Sequence, residues 1–90
     1  MKISYDPAKR AKTLQERGVD FDDVGQVFAG LHMTQEDMRF AYAERRFQTY
    51  GLLGDRLVVV VWSETDDGRR VISMRKCNDR EQARYRQQLG

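Results

Sequence analysis

Apolar and polar positions along this chain change period several times, and each change marks an element. Lys2 to Tyr5 reads as a short strand. Asp6-Pro7 then signals a helix start, because Asp can cap free amides and Pro suits the first helical position. The pattern predicts a helix to about Arg17, with Gly18 as its left-handed stop. Its apolar positions are only Ala8, Ala11 and Leu14, so it should lie on a surface with a narrow buried stripe. Val19 and Phe21 lead into a second helix over about 22–29, where Val24, Val27 and Phe28 supply the apolar face and Gly30 the end.

From there the period shortens to that of strands. Residues 31–34 form a short edge-strand candidate, and most of 35–43 is polar and reads as a loop. Residues 45–52 make a strand with Arg46, Gln48 and Tyr50 on one face and Arg45, Phe47 and Thr49 on the other. Gly54-Asp55 is a tight turn. Residues 57–62 are apolar on both faces, which predicts a central strand. After a turn over 65–68, residues 69–76 form another strand. Strict alternation groups Val71, Ser73 and Arg75 against Arg70, Ile72, Met74 and Lys76. Asn78 and Glu81 make an approximate capping box for a final helix to about Leu89. The order β-α-α-β-β-β-β-α predicts an α+β fold: two N-terminal helices and a C-terminal helix packed on a twisted, mainly antiparallel sheet. One domain over 1–90 accounts for the whole length.

Composition narrows the class of function. The chain is 40% hydrophobic and 33% charged, which is globular rather than disordered. Its longest apolar run, Leu57 to Trp62, is far too short to span a membrane, and no apolar segment follows Met1-Lys2 as a signal peptide would require. Cys77 is the lone cysteine and His32 the lone histidine, so no metal site or cofactor is expected, and a cytoplasmic location is. Phosphate-binding glycine loops, dinucleotide fingerprints and nucleophile elbows are all missing from the sequence.

Charge adds a direction. The net charge of +2 divides unevenly: residues 1–38 hold 5 Lys/Arg and 7 Asp/Glu, and residues 39–90 hold 11 and 7. Of the 16 basic residues, 12 are arginine, a planar fork that matches phosphate. The C-terminal half is therefore the better face for an anionic partner. Arg70 and Arg75 lie on a strand that should sit well inside the sheet. An arginine there needs a carboxylate, backbone carbonyls or a ligand phosphate. Arg46 lies on a strand of similar pattern whose default reading is an ordinary half-exposed strand. Lys9, Arg10 and Lys12 read as a solvated helix face or as phosphate contacts. Tyr5 and Tyr85 are packing residues by default, and His32 carries no assigned role.

Three segments together resemble the BrnT family, RelE-like toxins of bacterial toxin–antitoxin pairs. They are Tyr5-Asp6-Pro7-Ala8-Lys9 with Arg17-Gly18-Val19-Asp20-Phe21; Arg46-Phe47-Gln48-Thr49-Tyr50-Gly51; and Arg70-Val71-Ile72-Ser73-Met74-Arg75 with Glu81 and Tyr85. Each is weak alone, but the ordered set covers nearly the whole chain. Arg17 stands where the family often has histidine, Thr13 where it often has asparagine, and Tyr50 where an aliphatic residue is usual. The resemblance implies a RelE-like fold and a metal-independent endoribonuclease that cuts RNA and blocks translation. It implies a cognate, DNA-binding, BrnA-like antitoxin, with operator DNA reached only through the complex. By the same resemblance Arg46 and Arg75 would stabilise the transition state from neighbouring strands, with Tyr5 and Tyr85 as further catalytic candidates. Lys9, Arg17, Arg70 and Ser73 would bind the RNA. The alternative is a non-catalytic basic module, or a decayed toxin, that docks an antitoxin or nucleic acid for operon control.

Overall fold

The computed structural model describes residues 2–89; Met1 and Gly90, the ends of the expected domain, lie outside the described residues. Strand β1 (Lys2–Ser4) is followed by helix α1 (Pro7–Arg17). Asp6 accepts from the Ala8 amide at 2.9 Å and Pro7 takes the first helical position. Gly18, at φ 71°, closes the helix by donating to Leu14 O at 3.0 Å, a conformation that glycine adopts without a Cβ penalty. α1 buries no residue fully, in keeping with its sparse apolar stripe.

The expected second helix is broken in two. Residues Phe21–Asp23 form a 3-10 turn, and only Val24–Ala29 (α2) is α-helical. The Asp20 carboxylate accepts from the Asp22 amide and fixes the tighter turn, so Phe21 points inward before the helix begins.

The remaining strands are β2 (His32–Glu36), β3 (Arg46–Leu53), β4 (Arg56–Thr65) and β5 (Gly68–Lys76), followed by α3 (Asp79–Leu89). They form one five-stranded sheet in the order β1-β5-β4-β3-β2. β1 pairs parallel with β5 and every other pairing is antiparallel. β4, the strand apolar on both faces, is central, and β5 lies inside the sheet as its pattern suggested. β2 runs two residues past its expected end. Cross-strand pairs hold it: Thr34 Oγ1 lies 2.8 Å from Thr49 Oγ1, and Gln35 donates to Gln48 at 3.1 Å.

Strict alternation fails once, in β5. Val61 pairs with Ser73 but Trp62 pairs with Val71, so Ile72 is an extra residue in a β-bulge. The bulge puts Val71 on the same face as Met74 and separates it from Ser73 and Arg75. Val71 and Met74 join Val58, Val60 and Trp62 under Phe21, Val24 and Val27, all buried. Gly51 allows this layer to close: a Cβ there would come within 2.8 Å of Val27 Cγ1. On the opposite face α3 packs Tyr85 with Tyr50, Leu57, Val59 and Cys77. One face is thus covered by the N-terminal helical segment, and the other is covered by α3 only at one end.

Candidate functional site

The half-open face carries three rows of side chains set by the strand register. Arg46, Ser63 and Arg70 form one row, Gln48, Val61 and Ser73 the next, and Tyr50, Val59 and Arg75 the third. Arg46 and Arg75 are therefore not on neighbouring strands, because β4 lies between them. Tyr50, which shares a row with Arg75, is four positions from Arg46, about 13 Å along the sheet. The two arginines therefore stand at opposite ends of the rows rather than side by side.

Three connected clefts cross this face. The first, between α1 and β5, is lined by Lys9, Lys12, Thr13, Glu16, Arg17, Ile72 and Ser73. The second, of about 190 Å³, is lined by Arg17, Arg39, Gln48, Ser73 and Arg75. In the third, Arg39, Gln48 and Arg75 meet Tyr50, Arg80, Glu81, Arg84 and Tyr85. Arg17 and Ser73 join the first cleft to the second; Arg39, Gln48 and Arg75 join the second to the third. The result is one arginine-rich track from α1 to α3.

Local structure explains how each arginine reaches the track. β1 covers β5 only as far as Arg70, which leaves the edge of β5 beyond it without a strand partner. Arg17, in the last turn of α1, fills that gap by donating Nη1 to Met74 O at 3.2 Å. Arg75 projects from β5 toward the start of α3. Its Nη1 and Nη2 donate to Glu81 Oε1 and Oε2 at 2.8 and 2.9 Å. Glu81 also accepts from the Asn78 amide at 3.0 Å while Asn78 Oδ1 accepts from the Glu81 amide at 2.8 Å, completing the expected capping box. The Arg75 guanidinium holds the Glu81 carboxyl below its ordinary pKa, and the carboxylate in turn raises that of Arg75.

Tyr50 and Tyr85 floor the third cleft as a stacked pair, with centroids 3.9 Å apart and planes 14° apart. Burial, with the neighbouring Tyr85 hydroxyl, raises the pKa of the Tyr50 phenol. Burial also pushes the Cys77 thiol up to about 11, which makes it an inert packing residue.

Arg39 was not singled out by sequence reasoning, because the loop containing it has no periodicity. A signal was present in Asp37, two residues before it. Asp37 is 3% exposed, and it receives Arg39 Nε and Nη2, each at 2.8 Å, together with the Tyr42 hydroxyl at 2.9 Å. The Arg39 fork holds the Asp37 carboxyl far below the usual range, overriding the opposing effect of burial. The Asp37 amide also donates to Arg46 O at 2.7 Å, which ties the loop to β3.

Other expected residues lie elsewhere. Arg46 pairs with Glu44 at 3.1 Å and stacks over the Tyr42 ring at 4.3 Å, lining a separate cleft with Asp37 and Phe40. Arg70 is exposed in the Arg46 row and lines none of the three track clefts. Tyr5 leaves the expected constellation altogether. Following β1, its ring packs edge-on against Phe21, in the layer beneath α2, and its hydroxyl donates to Asp22. The hydrogen bond to Asp22 raises the Tyr5 pKa. His32 is exposed on β2, with Nδ1 2.8 Å from Gly30 O. Among the described residues no group of three or more His, Cys, Asp or Glu is placed to hold a metal ion. No helix among them is long and apolar enough to cross a membrane.

Residues 5–81 match a family model described as ribonuclease toxin, BrnT, of type II toxin-antitoxin system. The match takes in Lys9, Lys12, Arg17 and Ser73 of the first cleft and extends to Glu81; Arg84 and Tyr85 lie beyond it. No curated protein matches the chain.

Proposed function

This chain belongs to the BrnT family of ribonuclease toxins of type II toxin–antitoxin systems, and we propose that it is a metal-independent endoribonuclease with a RelE-like fold, cutting RNA to block translation. The arginine track carries this reading. Arg17, Arg39 and Arg75 converge on Ser73 and Gln48 along one open sheet face, with Lys9 at one end and Arg80 and Arg84 at the other. A single RNA strand laid along it would meet a cation at each successive cleft.

The chemistry asked of such a site is modest. An RNA 2′-hydroxyl attacks the adjacent phosphorus, forming the O2′–P bond as the P–O5′ bond breaks. A base takes the 2′-hydroxyl proton, and the departing 5′-oxygen gains one. The products are a 2′,3′-cyclic phosphate and a 5′-hydroxyl. Negative charge builds on the phosphorane-like transition state, and guanidinium groups held beside it stabilise it. Arg75 is assigned to that task, with Tyr85 holding its corner of the site through the stack on Tyr50. Arg17, Ser73 and Lys9 bind flanking phosphates. Arg46 and Arg70 serve RNA at the far end of the sheet. Tyr5, on the other face, is assigned to packing.

Membership in a type II family implies an antitoxin partner. We assign to this partner, a BrnA-like protein, the neutralisation of the toxin and the contact with operator DNA, both in the cytoplasm. A second reading, a basic module that docks without cutting, draws support from one observation: the Arg75 fork is already filled by Glu81. Inducing the chain alone in bacteria beside Arg75→Ala, with RNA ends mapped, separates the two. Growth arrest with new RNA ends, both lost in the variant, supports the ribonuclease. A folded wild-type chain that gives neither supports docking.

A further inference from the structure

Arg39 has no counterpart among the residues through which the family resemblance was drawn, yet it lines both the second and third clefts beside Arg75. Its side chain is 57% exposed, while that of its partner Asp37 is 0% exposed. Asp37 engages the guanidinium from the side, through Nε and Nη2. Guanidinium carries five N–H donors, so the outer edge formed by Nη1 and the second Nη2 proton stays available. Nη1 makes no hydrogen bond within normal geometry among the described residues, although the Tyr42 hydroxyl, bound to the same Asp37 carboxylate, lies beside the guanidinium. Arg75 is the reverse case, because its own outer edge faces Glu81. Of the two arginines shared by the second and third clefts, Arg39 therefore presents the free fork.

The loop is built to hold it there. The Asp37 carboxylate takes four hydrogen bonds, from the Arg39 amide, Arg39 Nε and Nη2, and the Tyr42 hydroxyl. A buried carboxylate so fully satisfied restricts the rotamers of a long side chain that would otherwise wander.

We propose that Arg39 is a phosphate-binding residue of the RNA track and that Asp37 is its positioning residue. The inference rests on the ribonuclease reading and deepens it. RNA enters the track against the free edge of Arg39, in the clefts that Arg75 also lines.

The test uses the full chain and a short single-stranded RNA in cleavable and fully 2′-O-methyl forms. Affinity for the methylated RNA is measured against salt concentration for wild type, Arg39→Gln, Arg39→Lys and the double variant D37N/R39Q. The double variant keeps a neutral pair at the loop, so no buried charge is left alone if Arg39→Gln disturbs folding. Loss of one phosphate contact lowers the slope of log affinity against log salt by about 0.7 for single strands. That drop is expected in Arg39→Gln and D37N/R39Q, with Arg39→Lys retaining the slope while cleaving more slowly. A purely structural Arg39 would leave the slope unchanged in the folded double variant, and this result overturns the proposal. Wild type that cleaves and binds while the double variant does both equally well removes Arg39 alone. Wild type that neither cleaves nor binds removes the ribonuclease reading and this inference with it.

Discussion

Arg75 and Glu81 face each other across the junction of β5 and α3 in a two-pronged ion pair, with N–O distances of 2.8 and 2.9 Å. The same carboxylate closes the capping box with Asn78. Glu81 therefore ties the basic strand to the start of the helix that floors the site. It also occupies the fork that a phosphate would use, so ligand and helix cap compete for one guanidinium.

Replacing Glu81 by Gln separates these two effects. Gln keeps the cap but surrenders the charge, so Arg75 is released at little cost to α3. We expect tighter binding of non-cleavable RNA and a stability loss of about 1 kcal/mol, small because Arg75 is 41% exposed and screened by solvent. The pH dependence follows from the depressed Glu81 pKa. The contribution of the pair is present above the ordinary glutamate value of about 4.3 and is lost as pH falls through the lower folded value. Urea unfolding of wild type and Glu81→Gln should show a gap at pH 7 that closes on acidification. A gap of constant size would mean the pair does not stabilise the fold.

For Arg75 itself, geometry counts as well as charge. Arg75→Lys keeps the cation but cannot form the planar two-pronged contact. Cleavage should fall by about 10²-fold or more, the scale of losing one preorganised transition-state donor, with the melting temperature changed only slightly. Single-turnover cleavage assays decide this, and a lysine variant of wild-type rate would show that Arg75 supplies charge alone.

Asp37 and Arg39 should respond asymmetrically to truncation. Arg39→Ala leaves a carboxylate buried with only Tyr42 and one amide for company, a change expected to cost about 3 kcal/mol. Asp37→Asn leaves an exposed guanidinium that water can solvate, and should cost clearly less. Denaturant midpoints of the two variants give the comparison. Equal losses would contradict the burial contrast on which the positioning role rests.

The sequence was most legible where one element decided its own shape. The Asp6-Pro7 start and Gly18 stop of α1, the Asn78–Glu81 cap, and the doubly apolar β4 are all local or nearly so. What was not legible depended on distant partners. The Ile72 bulge is set by how β5 meets Val61 and Trp62, and it moves Val71 to the opposite face from Ser73 and Arg75. β2 extends through Gln35 and Glu36 because Gln48 and Phe47 pair with them across β3 and Arg45 adds an ion pair to Glu36, which no local propensity could reveal. Arg17 is remote in sequence from Ser73 and Arg75 and meets them because the end of α1 reaches the open edge of β5. Tyr5 looked like a site residue because its motif opens the resembling segment. Only the fold shows that its ring enters the layer beneath α2.

That difference gives the two tyrosines opposite tests. Tyr85 is 5% exposed and stacks on Tyr50 at 3.9 Å, so its ring is part of the floor of the third cleft. Tyr85→Ala should destabilise the chain by about 3–5 kcal/mol, as removal of a buried aromatic does, and should weaken cleavage through loss of the corner that holds Arg75. Tyr85→Phe keeps the ring and should retain both stability and cleavage close to wild type. A proton-transfer role would instead cost about 10²–10⁴-fold in rate in that variant at unchanged stability. Tyr5→Phe removes the hydroxyl that donates to Asp22 on the face away from the arginine track. Its cleavage rate should match wild type, while any change appears in unfolding alone. Measuring rate and unfolding on both phenylalanine variants therefore distinguishes a floor from a catalyst, and a slow but fully folded Tyr5→Phe would return that residue to the chemistry.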